Sequence, residues 1–299
     1  MEVCMKRLGQ FWMLMIGILL TFSGCGKDVV SQSKEGEDAL LTQTAAESAM
    51  QEGPFRMTFL DTGKSDCIVM EIGDYVVVND TADADDGAAI CAYLEERQVE
   101  RITYLILSHF DKDHIGSAAV LLSEFEVDCV LMPDYEEDSE AYLMLLQALE
   151  RTGTEERRLL EDYSFTLEDA AFYVNAPEED AYENDNNYSL ITTVTYKDTR
   201  FLLMGDAMKK RTGEFMDSDA GQERYDLIKM PHHGDYNKKL AELFAIARPD
   251  YVVLTADEAR QRVEEKTIEL LEQSGCGVFY TDAGNITVLS DGSTVTLLQ

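Results

Sequence analysis

The sequence predicts a layered α/β domain with mixed sheets. Short, apolar, strand-like groups alternate with helical stretches from about residue 54 to the end of the chain. The chain has 299 residues, 45% of them hydrophobic and 9% aromatic, enough for a sizeable core in one large domain or two small ones. No close internal repeat is visible.

The elements follow in order. "FRMTFLDTG" reads as a strand and a glycine turn, and "DCIVMEIG" and "YVVVND" as two strands joined through Gly73-Asp74. Residues 83–98 read as a helix, with Ile90, Cys91 and Leu94 on one face and acids in the first turn. "ITYLILS" is a buried strand. Gly116 to Phe125 is again helical, and "VDCVLMP" is a strand stopped by Pro133. A long helix is expected over about Glu137 to Leu160. "YSFTLED" and "AAFYVNA" suggest a hairpin, then comes the acidic loop "PEEDAYENDNN". "YSLITTVTYKDTRFLLMGD" reads as a second hairpin turning at Lys197-Asp198. A helix, the strand "YDLIKMP", another helix, the strand "DYVVLT", a helix over Arg260 to Ser274 and three short strands complete the chain.

The first 53 residues stand apart from this pattern. Lys6 and Arg7 precede a twelve-residue apolar run, "FWMLMIGILLTF". That is short for a bilayer span of about 20 residues but suits a signal-peptide core. "FSGCGK" then resembles the lipobox of bacterial lipoproteins, with Phe22 where leucine is usual and Cys25 as the lipidated residue. The resemblance implies a leader over residues 1–24, a tether over 25–53 and a folded domain over 54–299, held by lipid at the outer face of a bacterial cell membrane. An uncleaved anchor and ordinary secretion are the competing readings. The tether is polar and rich in Ser, Glu and Gln, with room for a short amphipathic helix over Ala39 to Met50. Four cysteines lie beyond it, Cys67, Cys91, Cys129 and Cys276, none in a CxxC pair and each in an apolar context. They read as buried free thiols, although this location permits one disulfide.

Charge narrows the function. With 25 basic and 58 acidic residues the net charge is −33. Such a chain repels polyanions at long range, so a phosphate-bearing substrate needs metal ions or local basic groups to overcome the field. The same charge also keeps a protein soluble. No basic run with interleaved aromatics marks an extended nucleic-acid track, and no protein-partner site is evident.

The chain has only four histidines, and they fall in two places. His109, Asp111, Asp113 and His114 follow the strand "ITYLIL" as H-x-D-x-D-H. His232 and His233 end the strand in "IKMPHHGD". The strand "FLLMGD" delivers Asp206 in the same way. Imidazole nitrogen and carboxylate oxygen bind divalent first-row metals, and strand-end loops can turn such side chains to one point.

H-x-D-x-D-H, a strand ending Gly-Asp and then Pro-His-His-Gly resemble, in that order, the metallo-β-lactamase fold. The closest variant is the metallo-hydrolase domain of the ComEC DNA-uptake proteins and their free-standing relatives. "FLDTGKSDCIVME" is similar to that group's opening Asp-x-Gly-x-x-Asp segment, which includes Asp66. "NDNNYSLITTVTYKDTRFLLMGD" is similar to its Asn-Asn-x-Ser strand and hairpin, which includes Asn187. The resemblance runs from about Met57 to the C-terminus. It implies an αββα sandwich, two mixed β-sheets flanked by helices, with the site at one edge of the sheets. It implies two divalent cations, zinc or manganese. His109 and Asp111 would hold one, Asp113 and His114 the second, Asp206 would bridge and His232 would complete the second site. Two ions about 3.5–4 Å apart lower the pKa of a shared water towards 7. Asp113 would orient the attacking oxygen, and His233, the surplus histidine, would hydrogen-bond substrate or protonate a leaving group.

The chain departs from the wider pattern where Asp111 stands for a histidine, where "NDNNYS" lacks another and where "HHG" runs on to Asp235. A downstream Gly-His-Pro segment is also missing. The first site is therefore poor in nitrogen, and Asn186 or Asn187 or water would fill it. Lys64, Lys112, Lys229, Lys238 and Lys239 lie beside the motifs. Asp66, Lys229 and Asn187 are the expected substrate contacts. The leading reading is a metal-dependent phosphodiesterase or nuclease at the cell surface, acting on nucleic acid or a small phosphodiester. The alternatives are a hydrolase of small esters, lactones or amides, or a weakly catalytic binding lipoprotein.

Overall fold

A computed structural model describes residues 55–256 and 263–299. The expected leader, Cys25, the tether with its helix over 39–50, Pro54 and the start of the helix expected from Arg260 lie outside the described residues. In chain order the elements are β1 (Phe55–Phe59), β2 (Ile68–Ile72), β3 (Tyr75–Asn79), α1 (Gly87–Glu96), β4 (Arg101–Ile106), α2 (Lys112–Ile115), α3 (Ala118–Glu124), β5 (Glu126–Pro133), α4 (Glu140–Thr152), β6 (Glu155–Leu159) and β7 (Tyr163–Leu167). The second half continues with β8 (Ala170–Asn175), β9 (Ile191–Tyr196), β10 (Thr199–Leu203), α5 (Lys209–Asp217), β11 (Leu227–Lys229), α6 (Leu240–Ala247), β12 (Tyr251–Leu254), α7 (Glu265–Ser274), β13 (Gly277–Tyr280), β14 (Ile286–Ser290) and β15 (Val295–Leu298).

The strands make an eight-stranded sheet, β15-β14-β1-β2-β3-β4-β5-β6, and a seven-stranded sheet, β13-β12-β11-β10-β9-β8-β7. Both are mixed. β3 to β6 run parallel, as do β10 to β13, while β1, β2, β14 and β15 and the strands β7 to β10 pair antiparallel. The sheets face each other across one apolar layer, where Phe55 stacks on Phe201 with ring centroids 5.0 Å apart. Ile90 and Leu94 of α1, Leu121 of α3 and Leu145 of α4 cover the outer face of the first sheet. Phe215 of α5, Leu243 of α6 and Leu271 of α7 cover that of the second. This is the expected αββα sandwich. Parallel strands need covered faces, and the apolar runs "ITYLIL" and "YVVL" supply strands that are buried on both sides.

Two elements differ from expectation. The long helix stops at Thr152, closed by Gly153 at φ 70°. The remainder, Glu155 to Leu159, is strand β6, paired parallel with Cys129 to Pro133. Glu-Glu-Arg-Arg-Leu has good helix formers, so its local preference points the wrong way. The open edge of β5 overrides it. The helix expected over 116–125 is present as α3, Ala118–Glu124, and a one-turn helix that was not expected, α2 over Lys112–Ile115, precedes it across Gly116-Ser117. All four described cysteines are free. Cys67 and Cys129 are buried and Cys91 and Cys276 are partly exposed.

Candidate metal centre

The chemistry gathers where parallel strands end. After β4 the chain runs through Ser108 and His109 into the one-turn helix α2. Ser108 is tied to Asp80 twice, N to Oδ1 at 2.7 Å and Oγ to Oδ2 at 2.8 Å. After β10, Gly205 takes φ 51°, and a Cβ there would lie 2.9 Å from Ser108 Cβ and 3.1 Å from Ser189 Cβ. Only glycine fits, on both counts. Asp206 follows, with its N–H donating to Ser189 Oγ at 3.1 Å. After β11, His232 and His233 are both left-handed, at φ 48° and 53°. Such backbone costs about 1–3 kcal/mol per residue outside glycine and persists only when its surroundings impose it. Here His232 N donates to Gly205 O at 3.1 Å, and His233 Nδ1 sits 3.0 Å from Thr255 O.

Three imidazoles are held by one nitrogen and point the other at a common centre. A carbonyl or carboxylate oxygen can only accept. His233 Nδ1 therefore donates to Thr255 O, and His114 Nδ1 donates to Asp80 Oδ2 at 2.9 Å. Ser108 Oγ spends its proton on Asp80, so it accepts from His109 Nδ1 at 3.0 Å. Each Nε2 is then left with its lone pair, the form in which a histidine binds metal. All three Nε2 atoms are buried without a hydrogen-bond partner, and so is Asp206 Oδ1.

These atoms converge. His114 Nε2 is 3.2 Å from Asp206 Oδ1, and His233 Nε2 is 3.4 Å from Asp206 Oδ2 and 3.6 Å from Asp113 Oδ2. The ligand atoms of His109, His114 and Asp206 lie within 4.8 Å of one another, as do those of Asp113, His114 and His233. A lone pair facing a carboxylate oxygen at this range needs positive charge between them. Burial opposes charging His114 and His233. Asp206 with Asp80 for the first, and Asp206 with Asp66 for the second, outweigh it and hold both imidazoles above their ordinary range. Burial likewise opposes ionising Asp206, but His233 and His114 keep its carboxyl well below the usual range. The donor set, nitrogen and carboxylate oxygen with orphaned inward atoms, fits divalent cations. Two further groups, Asp66 with Asp206 and His233 and Asp66 with Asp80 and His114, share the same centre.

The sequence-predicted residues divide accordingly. His109, Asp113, His114 and Asp206 meet. His233, expected to act on substrate, lies inside the cluster, while His232, expected as the ligand, stands at the rim. His232 Nε2 is 3.8 Å from Asp206 Oδ2, its side chain is 21% exposed and it joins none of the groups. The consecutive left-handed residues send the two rings to different sides. Asp111 is also at the rim, 45% exposed, with Oδ2 3.6 Å from His109 Nε2. Asp66 and Lys229, expected to touch substrate, are instead a fully buried ion pair beneath the centre, with Lys229 Nζ also 3.2 Å from Gly205 O. Thr255 Oγ1 donates to Asp66 at 2.5 Å, which links this pair to His233. Asn187 is buried, and its Oδ1 accepts Arg211 N at 3.2 Å, inside the first turn of α5. Lys112 is exposed and pairs with Asp83 at 3.0 Å.

Asp80 and Thr255, which hold two of the rings, are absent from the motif reading. Each directly follows a buried strand, in "YVVVND" and "YVVLT", the same signal that singles out Asp206.

The family profile described as "Metallo-beta-lactamase superfamily" matches residues 60–255. "ComE operon protein 3" of Bacillus subtilis (strain 168) is 25% identical over 192 residues, which is 64% of this chain and 25% of that protein. The chain thus spans about a quarter of that relative's length. Among solved structures, the metallo-beta-lactamase fold protein YhfI from Bacillus subtilis aligns with a TM-score of 0.53 at 12% identity, over 82% of this chain and 100% of that one. CmlA, a diiron beta-hydroxylase from Streptomyces venezuelae, aligns at 0.51 and 11% identity, over 80% and 54%. At these identities the two structures speak for the fold alone.

Proposed function

The chain belongs to the metallo-beta-lactamase superfamily, and from that premise we propose that this metallo-hydrolase is a phosphodiesterase or nuclease holding two divalent cations, zinc or manganese, at the outer face of a bacterial membrane. The observation that carries the reading is the convergence of three partnerless imidazole nitrogens on the Asp206 carboxylate. His109, His114, Asp206, Asp113 and His233 would hold the cations, with Asp111 and Asn186 at the open edge of the first site. When bound, the cations supply Lewis acidity and lower the pKa of water.

The protein's own groups then have distinct work. Asp113 is 24% exposed and reaches both the centre and solvent, so it can orient the attacking water. His232, at the rim, takes the substrate-facing role first expected of His233. Burial holds its imidazole below the ordinary range, with Asp206 and Asp235 offsetting this only in part. It is neutral near pH 7 and offers a hydrogen bond to a substrate or leaving-group oxygen. Asp80 and Thr255 fix ring orientation, and the Asp66–Lys229 pair supports Thr255.

A second reading, hydrolysis of small esters, lactones or amides, is favoured by one observation: Lys229 is buried and removes a phosphate clamp that the first reading expected. The two separate in assays with manganese or zinc on bis-p-nitrophenyl phosphate, single-stranded DNA, a lactone and a β-lactam. Phosphodiester cleavage is expected, with Asp113→Ala losing it while circular dichroism stays native. Turnover of the lactone or β-lactam alone, or an unchanged rate in Asp113→Ala, overturns the proposal. The lipidated Cys25 is the proposed anchor, with residues 1–24 removed and 25–53 as the tether.

A further inference from the structure

Five lysines flank the motifs, and the structure accounts for four of them. Lys229 is buried beneath the centre against Asp66, Lys112 pairs with Asp83, Lys239 pairs with Glu242, and Lys238 is exposed on the segment leading into α6. The fifth, Lys64, is partly buried, and among the described residues its ammonium has no ion pair and no hydrogen bond. In a chain with 58 acidic residues and 25 basic ones, a partly buried cation without a carboxylate needs a reason.

Its place is set by the loop that joins β1 to β2. Leu60 N donates to Cys67 O at 3.0 Å and closes the base of the loop. Thr62 Oγ1 donates to Ser65 O at 3.0 Å across the turn, where Gly63 takes φ 65°. Thr62, Ser65 and Asp66 are buried, which leaves Asp61, Gly63 and Lys64 towards solvent. The loop is fastened to the centre through Asp66. Its N–H donates to Asp113 O at 3.1 Å and its carbonyl accepts Ala82 N at 2.7 Å. Its carboxylate meets Thr255 Oγ1, Lys229 and, at 3.5 Å, His233 Nδ1. Lys64 therefore stands two residues from Asp66, at the tip of a short loop tied to Asp113 and His233.

The tip of this loop shares the rim of the centre with His232. Burial holds that imidazole below its ordinary range, with His233 and the Lys64 ammonium adding to the effect and Asp206 and Asp235 opposing it. The ammonium is thus near enough to act on His232, whose Nε2 stands 3.8 Å from Asp206 Oδ2. The acid-rich surface repels an anionic ester at long range, and a fixed positive charge at the mouth of the site counters that repulsion locally. A neutral ester feels neither effect.

We propose that Lys64 is the phosphate-binding residue of the site: its ammonium takes a non-bridging oxygen of a phosphodiester held at the centre, the part that the sequence assigned to Lys229. A lysine suits this as a compact point charge with three donors. Position 64 is one of the unspecified places in the opening Asp-x-Gly-x-x-Asp segment, so the contact belongs to this chain and not to the motif. The inference rests on the phosphodiesterase reading and deepens it. The preferred substrate carries its negative charge on the scissile group, and neutral esters and lactones gain nothing from Lys64.

The test uses the cation-loaded protein with bis-p-nitrophenyl phosphate as the anionic substrate, p-nitrophenyl acetate as a neutral one with the same leaving group, and dimethyl phosphate as a competing anion. Lys64→Gln is expected to raise KM for the phosphodiester and Ki for dimethyl phosphate by at least about fivefold, as the loss of one charged hydrogen bond does. It should lower kcat less, and leave acetate hydrolysis and the cation content found by elemental analysis unchanged. Lys64→Arg, which keeps the charge, should recover most of both losses, and Lys238→Gln, at an exposed lysine, should cause neither. A smaller rise in Lys64→Gln, losses that Lys238→Gln matches, or an equal fall in acetate hydrolysis overturns the inference and leaves the phosphodiesterase reading standing. Failure of the cation-loaded parent to cleave bis-p-nitrophenyl phosphate overturns that reading and this one with it.

Discussion

At residue scale the site depends on which nitrogen of each ring is occupied. Asp80, Ser108 and Thr255 take the Nδ1 protons, and Nε2 is thereby aimed inward on His109, His114 and His233. His233→Ala is expected to lower cation content and affinity by at least the roughly 10–100-fold typical of losing even an outer partner of a metal ligand. His232→Ala should retain cation while lowering turnover. Elemental analysis with calorimetric titration checks both, and equal cation loss in the two variants would return His232 to the ligand set. The motifs pointed to His109, Asp113, His114 and Asp206 because each directly follows a strand or begins the turn after one. They did not separate His232 from His233. Two adjacent left-handed residues decide which ring goes inward, and that geometry is imposed by Gly205 and Thr255, which are remote in the chain. Nor did they foresee Lys229 and Asp66 as a buried pair. A lysine next to a motif looks the same in sequence whether it points outward or beneath the site.

At the scale of elements, strands buried on both faces were legible as apolar runs, and hairpins as alternation broken at Gly73-Asp74 or Lys197-Asp198. The C-terminal half of the long expected helix was not legible, since Glu155 to Leu159 has helical preferences and gains its strand state from β5. Gly153 is where the two states part. It is left-handed with open space around its Cβ position. Gly153→Ala therefore meets no clash, and its cost is conformational, about 1–2 kcal/mol. Urea unfolding measures it. A loss below about 0.3 kcal/mol would mean that β6 pairing, and not the glycine, ends α4.

For the whole molecule, the two halves of the sandwich each supply part of the centre: β3 and β4 bring Asp80, His109, Asp113 and His114, and β10, β11 and β12 bring Asp206, His233 and Thr255. Cation binding is thus linked to folding. At a free cation concentration 100-fold above Kd the linkage is worth about 2.7 kcal/mol. For a domain of this size that is roughly 5–10 °C in Tm. Chelation of protein lacking residues 1–53 should lower Tm by that much, reversibly, in a thermal melt. An unchanged Tm with cation demonstrably removed would show that the centre contributes nothing to stability. By itself the sequence determined the layered α/β class, the strand-end position of the ligand-type residues and the acidity that disfavours polyanions, because period, residue chemistry and net charge are local or additive. Only the tertiary structure decided which of two neighbouring histidines enters the centre, and that Asp66 and Lys229 neutralise each other beneath it. These depend on the packing of segments distant in the chain, where one backbone torsion or one open strand edge outweighs local preference.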